Sequence, residues 1–506
     1  MHFYKLEEKM KRILSFAIAL IMLSCAFISC GNSTPAVTTV PADAPQSTEP
    51  PVATEPPVTT AYPDIPEDID YEQYEFKIFV NVHSTAYSDF DLENAGYDVV
   101  NEAAFKRNTV VEDTLKVTIS ANFVSGSAFA GGPGESQMRK DYTAAEASYD
   151  LCSIGAWHGP NVAQNKYAMN LYEVPYIDLT QPWWDQRANS DLGIGGKMYF
   201  TTGDIGLKDN LATHCILFSK QVAEEANITD IYDLVLQRKW TWDKFEEYTR
   251  MVSEDLNGDD VMNYSDKFGL LCWNDAFQSS FGAARTGIGM VNDNGELELT
   301  LYSDRNSALA DRICNLMFDK TVSLNHMNQR DMTSSQIITT MFPNGQALFL
   351  TTLFDNLVLL RDSDMDFGII PLPMYDEAQG EYGGYVGPTY SSVWAIETYV
   401  EDLERTGIVT ELLACESMKI LTPAYYEYTL KGRDVRDSES VECLDIIFAN
   451  RSYDPGILYA VGSYTGKLTE MMKSNVNTFQ NIYKTAERAA GVQIKTINKK
   501  FIDTQN

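Results

Sequence analysis

Phe76-Lys-Ile-Phe-Val-Asn-Val82, a helical face at Val100, Ala104, Val111 and Leu115, and then Val117-Thr-Ile-Ser-Ala121 form the stretch that decides the fold. The flanking segments have the length and apolar content of strands, whereas the middle segment repeats its apolar positions at the spacing of a helix. Strand, helix and strand in this order read as a βαβ unit, which pairs its strands in parallel and covers them with helices. The class is α/β.

Downstream, the same signature recurs in short apolar runs: Tyr149-Asp-Leu-Cys-Ser-Ile154, His214 to Phe218, Phe268 to Cys272, Gln346 to Leu350, Phe367 to Ile370 and Ser392 to Ile396. Nearly continuous apolar runs suit strands covered on both faces. Between them lie amphipathic helices. Thr241 is placed to N-cap a helix over 242–253, and Leu309, Ile313, Leu316 and Met317 form one stripe. Near the end, Leu468, Met471, Met472, Val476, Phe479, Ile482, Tyr483 and Ala486 predict a single long helix that buttresses a lobe.

Upstream of the first strand, residues 31–66 alternate Pro with Thr, Ala and Val and carry no periodicity. This composition predicts a disordered stalk able to reach on the order of 100 Å if fully polyproline-like. Before it, Lys11 and Arg12 precede an apolar run from Ile13 to Ile28, and Ser29 leads into Cys30. A basic flank and a short apolar core mark residues 1–30 as a secretory signal. Its end resembles the lipobox of bacterial lipoprotein signals, which implies that Cys30, or as a second candidate Cys25 behind Leu23 and Ser24, is acylated and holds the protein on the extracytoplasmic face of the cell membrane; the Cys30 context fits better because Gly31-Asn32-Ser33 leads straight into the stalk.

The chain has 506 residues and a formal net charge of −32, and removing residues 1–29 takes away four basic and two acidic side chains, leaving −34. So negative a surface repels phosphate backbones and argues against nucleic acid as a partner. The cysteines beyond Cys30 are scattered, with no C-x-x-C pair, and read as buried free thiols.

Tyr176-Ile-Asp-Leu-x-x-Pro-Trp-Trp-Asp185, then Gly196-Lys-x-Tyr-Phe200 and Gly203-Asp204, are followed by Leu236-x-x-Lys-Trp-Thr-Trp242, Phe342-x-Asn-Gly-x-Ala-Leu-Phe349 and Asp366-Phe-Gly-Ile-Ile-Pro-Leu-Pro. In this order the segments resemble the family 1 extracellular solute-binding lipoproteins of bacterial ABC importers, carbohydrate type. The resemblance implies a two-lobed periplasmic-binding-protein-like fold with a hinge and an interlobe cleft. The lobes it implies are 67–210 with 385–440, and 211–384 with 441–506, with crossings near 205–214 and 380–392. It also implies a monomer that captures a solute, an oligosaccharide, and passes it to a membrane permease, with no enzymatic activity and no required cofactor. A cell-surface glycoside hydrolase or polysaccharide-degrading lipoprotein is the main alternative; an adhesin that borrowed the fold is a third.

Loops after strand ends are where α/β proteins hold ligands. Trp157 and His158 follow one strand, and Trp273, Asn274 and Asp275 follow another; Tyr385 lies in a Gly-rich segment, Asp204 follows Gly203, and Trp394 is in a late strand. These eight are the ligand-binding candidates, since sugars need aromatic faces and polar groups together. Trp183, Trp184, Trp240 and Trp242 read as core. The Gly126–Gly134 loop lacks the Lys-Ser/Thr of a phosphate loop and reads as a mobile loop.

Asp255, Asn257, Asp259, Val261, Asn263 and Asp266 occupy positions 1, 3, 5, 7, 9 and 12 of a calcium-loop pattern, with the Val261 carbonyl serving at the fourth place. A structural calcium ion is the expectation; the departure is Asp260, where the pattern wants glycine. No nucleophile elbow, zinc-protease helix or Walker loop is present, and Glu224-Glu225 and Glu246-Glu247 are adjacent in sequence and face apart.

Overall fold

The computed structural model describes residues 61–82, 89–90, 98–329, 331–434 and 437–502. The signal, Cys30 and the stalk as far as residue 60 lie outside the described residues. Residues 61–66 pack on the body: Ala61 is half-buried with its carbonyl 3.6 Å from the Cys415 thiol, and Tyr62 stacks under the Lys419 ammonium.

The apolar runs become strands. β1 (Tyr74–Val82), β2 (Val117–Ser125), β3 (Leu151–Gly155) and the late strand β11 (Ser392–Ala395) make one sheet in the order β11-β3-β1-β2. β1 pairs in parallel with both β2 and β3, with Tyr74 opposite Val117, and only β11 runs antiparallel. β4 (His214–Ser219), β5 (Phe268–Cys272), β8 (Ser323–Asn325), β9 (Ala347–Leu353) and β10 (Phe367–Ile370) make the second sheet, ordered β10-β4-β9-β5-β8, with β5 parallel to β8 and β9. A hairpin of β6 (Gly289–Val291) and β7 (Leu297–Leu299) stands apart. Every residue of β4, β5, β9 and β10 is buried, as their continuous apolar sequences require. Two sheets, each covered by helices, are the two lobes.

The helices used below are α1 (Val99–Leu115), α2 (Pro133–Ala144), α3 (Gln186–Leu192), α4 (Trp242–Met251), α5 (Ala276–Ala283), α6 (Asp304–Met317), α7 (Leu403–Pro423), α8 (Ser438–Ala449), α9 (Tyr464–Ser474) and α10 (Phe479–Ile502). Side-chain oxygens of Asp98, Ser303, Asp402 and Asp437 accept from backbone N–H groups at the starts of α1, α6, α7 and α8. α7 packs on α1 beside the first sheet, and α8 packs on β10 of the second. No helix among the described residues is long and apolar enough to cross a membrane.

Two expectations need correction. Thr241 does sit at the N-cap of α4 in extended backbone, but it is buried and its side chain caps nothing. The last apolar stripe is also two helices, not one. Asn475 takes left-handed backbone (φ +51°), which Asn tolerates better than most residues, and Asn477 Oδ1 accepts from Phe479 N to start α10. Val476, read as part of the stripe, is left exposed between them.

The Trp-Trp-Asp segment is structural in every residue. Trp183 and Trp184 are buried and each donates its indole N–H, at 2.9 Å, to one oxygen of the Glu411 carboxylate in α7. Gly203 lies against their backbone, where a Cβ would come 2.4 Å from the Trp183 carbonyl oxygen. Asp185 caps α3 with one oxygen and gives the other to Arg451 and to the Tyr453 hydroxyl.

Candidate functional site

The loops that follow the carboxyl ends of four strands, β2, β3, β5 and β8, meet at one cavity of about 510 Å3. They bring Phe129, Trp157, Trp273 to Asp275, and Met327 to its wall. Tyr385 and residues 387–390 of the segment leading into β11 supply a second side, and the face of α9 bearing Thr465, Gly466, Thr469, Glu470 and Lys473 supplies a third. Each lobe contributes a tryptophan: Trp157 comes from the first sheet and Trp273 from the second.

The aromatic wall is held by its own contacts. Phe129, about half exposed, lies 5.8 Å from Trp157 between ring centres. Trp273 meets His326 edge to face at 5.1 Å and Tyr390 at 6.4 Å. Among the described residues, the indole nitrogens of Trp157 and Trp273, Asp275 Oδ1 and Gln278 Oε1 have no hydrogen-bond partner. Unpaired buried polar groups are costly, so this wall carries donors and acceptors that its own fold does not satisfy.

Of the eight candidates, five line the cavity: Trp157, Trp273, Asn274, Asp275 and Tyr385. Asn274 is fixed there by accepting from Asn325 at 2.7 Å, and burial raises the Asp275 carboxyl against the pull of His214, whose Nε2 is 3.7 Å away. His158 lies behind the wall. Its Nε2, facing the carbonyls of Ser127 at 3.2 Å and Phe129 at 2.9 Å, must carry the proton and donate, and it pins the Gly-rich loop so that Phe129 stands over Trp157. A Cβ on Gly132 would fall 2.4 Å from that nitrogen, so glycine is needed for the approach. The loop read as mobile is therefore a positioned part of the site.

Trp394 and Asp204 are elsewhere. Trp394 is buried in β11 against Phe90, 5.7 Å between ring centres, because its side of the strand faces the core. Asp204 turns inward to accept from the Thr422 hydroxyl at 2.6 Å, beside Asp185, Asp209 and Arg451. Phe129, Gln278, Met327, Tyr390 and the polar face of α9 were not singled out in the sequence. The available signal was the polar and small set Thr465, Gly466, Thr469 opposite the apolar stripe of Leu468 and Met472.

A second cavity, of about 350 Å3, lies between α3 (Arg187, Asp191) and residues 285–291, and shares only Gln278 and Tyr385 with the first. Its cations are already engaged, Arg285 with Glu381 at 3.1 Å and Arg187 with Asp191 at 3.8 Å, and it has no aromatic wall beyond Tyr385 and Tyr453.

In the acidic loop, Asp255 accepts from the backbone N–H of Gly258 and Asp260, Asn257 from Asp259, Asp259 from Val261, and Asp266 from Leu256 and Asn263. Asn263 donates to the Val261 carbonyl. Asp260 takes the left-handed backbone (φ +61°) for which the pattern wants glycine, so its residue type does not prevent the turn. Among the described residues no three His, Cys, Asp or Glu side chains are gathered as metal ligands.

With this geometry in view, the class the fold defines is the two-lobed periplasmic-binding-protein architecture used by extracellular solute-binding proteins of ABC importers. Among solved structures, the chain is similar to the galacto-N-biose/lacto-N-biose I-binding protein of the ABC transporter from Bifidobacterium longum, in complex with lacto-N-biose (13% identity, TM-score 0.55, 84% of this chain and 98% of that one). It is similar also to an ABC substrate-binding protein from Listeria monocytogenes in complex with cycloalternan (10%, 0.51, 84% and 98%) and to the GacH receptor of Streptomyces glaucescens, described unliganded and with acarbose (11%, 0.51, 86% and 100%). At such identities the likeness is one of fold. No family model and no curated protein matches the sequence.

Burial drives the Asp204 carboxyl from 3.8 up to about 7, and burial, opposed by Arg451, drives Asp209 up to about 6. Both hold their protons more tightly folded than unfolded. Their contribution to stability is thus complete below pH 3.8 and is lost as pH rises towards about 7. Melting temperature should be higher at about pH 5 than at about pH 8, and Asp204→Asn, which keeps the acceptor for Thr422, should raise it at the higher pH and flatten the difference. A scanning calorimetry series checks this; an unchanged slope in the variant contradicts it.

Proposed function

We propose that this chain is the lipid-anchored, ligand-capturing subunit of an ABC importer, taking an oligosaccharide between its lobes and closing on it by a hinge. The observation that carries the reading is that Trp157 and Trp273, one from each lobe, line a single cavity. A solute touching both lobes favours the closed state, whereas one touching a single lobe biases nothing. Its volume, about 510 Å3, falls in the usual range for small-molecule sites of about 300–1,000 Å3. Flat apolar faces suit pyranose rings, and hydroxyl groups offer partners to the unpaired indole, carboxylate and amide atoms. The only cation lining it among the described residues, Lys473, sits 2.8 Å from Glu470, which favours a neutral solute.

Trp157→Ala and Trp273→Ala should each weaken binding by about tenfold or more, since stacking adds roughly 0.5–1.5 kcal/mol to the lost apolar burial. Calorimetry with lacto-N-biose, acarbose and cycloalternan as probes checks this, and parent-like affinity in both variants contradicts it. A binding subunit returns the sugar intact; new reducing ends after incubation would instead favour the hydrolase.

The anchor is tested at Cys30. Cys30→Ser should leave the protein unprocessed or release it from the membrane fraction, whereas unchanged processing and retention contradict the anchor. We also propose a structural calcium ion at Asp255, Asn257, Asp259, Val261, Asn263 and Asp266. Because these oxygens must be drawn together to bind it, calcium at about millimolar concentration should raise the melting temperature. No shift leaves an acidic turn alone.

A further inference from the structure

α10 is out of character with the rest of the chain. In a protein with 71 acidic and 39 basic side chains, this helix carries Lys484, Arg488, Lys495, Lys499 and Lys500 against a single acid, Glu487. Four of the five are aligned. At 3.6 residues per turn, Lys484, Arg488, Lys495 and Lys499 fall within about 60° of one another and form a straight row about 22 Å long. All four are exposed, and none makes an ion pair among the described residues. Glu487 accepts from the Tyr483 hydroxyl at 3.0 Å. The row cannot roll away, because Ile482, Ala486, Ala490, Ile494, Ile497 and Phe501 bury the opposite face.

Helix stability does not account for the row. The helix dipole favours cations only in the last turn, which covers Lys499 and Lys500 but not Lys484 or Arg488. Lys484 with Arg488, and Lys495 with Lys499, are like-charge neighbours four residues apart, an arrangement that weakens a helix. Exposed Val492, 60% accessible, sits in the middle of the strip.

We propose that the outer face of α10 is a docking strip for an anionic phospholipid surface. A flat, rigid row of cations matches a plane of phosphate headgroups, and, resting on the Cys30 anchor proposed above, a polybasic patch added to an acyl chain is the two-signal arrangement that makes membrane attachment durable. The overall charge does not oppose it, because at a Debye length of about 8 Å the bilayer meets only the face turned towards it. The body then rests on the membrane along α10, whose neighbour α9 lines the solute cavity.

The test uses the chain from residue 30 onward with Cys30→Ser, since the compact unit begins at Ala61. It is sedimented with vesicles of phosphatidylglycerol and phosphatidylcholine and with phosphatidylcholine alone. The strip predicts binding to the anionic vesicles only, lost when salt rises from about 0.15 M to about 1 M. Replacing Lys484, Arg488, Lys495 and Lys499 with Gln should lower the partition by roughly a hundredfold or more. Replacing four exposed bases elsewhere, Lys106, Arg139, Lys140 and Lys166, with Gln removes the same charge and should leave binding unchanged. Melting curves confirm that both variants fold. Absence of binding by the parent, or equal loss in both variants, overturns the proposal; binding of the parent strip to the isolated permease but not to vesicles assigns the face to a protein partner instead.

Discussion

One guanidinium ties the lobes together. Arg451 reaches Asp185 at 2.7 Å and Asp209 at 3.2 Å, and Asn210 beside it, so the start of α3, the segment entering β4 and the segment leaving α8 converge on a single, largely covered cation. Residues around it extend the knot: Val386 N donates to the Ser452 carbonyl, Gly387 N to the Ala212 carbonyl and His214 N to the Tyr385 carbonyl. Arg451 is the cation beside Asp185, Asp204 and Asp209, and burial raises Asp204 to about 7 and Asp209 to about 6, so that the charge the arginine offsets falls as pH drops through those values. Removing Arg451 would leave Asp185 and Asp209 without this counterion where the segments around 209–214 and 385–387 meet.

From that knot the site follows by geometry. Parallel strands send their carboxyl ends in one direction, so loops after β2 and β3 of one sheet and after β5 and β8 of the other approach the same space. The connecting segment at 385–390 lies across the back, and α9 closes a side. Pinning by His158 makes Phe129 part of a wall, and the clamp of Glu411 on Trp183 and Trp184 holds the segment that leads to Arg451.

Much of this was legible in the residues. Continuous apolar runs such as Phe268 to Cys272 and Phe367 to Ile370 located strands to the residue, because a strand covered on both faces leaves no room for polar side chains. The strand-end argument pointed to Trp157 and Trp273 to Asp275, which do line the cavity. It failed where orientation rather than position decides. Asp204 and Trp394 stand near the crossings but turn inward, and nothing local distinguishes inward from outward. Phe129 depends on a contact from His158 twenty-nine residues away, and the break at Asn475 depends on one left-handed residue within an otherwise periodic stretch. The stalk at 31–66 rests on composition alone, and only its last six residues lie among those described.

The central claim is that the two lobes close on a solute held by both. Solution X-ray scattering of the chain with and without the probe sugar that binds tests it most directly. The account predicts a smaller radius of gyration with sugar present, and saturation at the same concentration as binding. Saturated binding with an unchanged radius of gyration would contradict it.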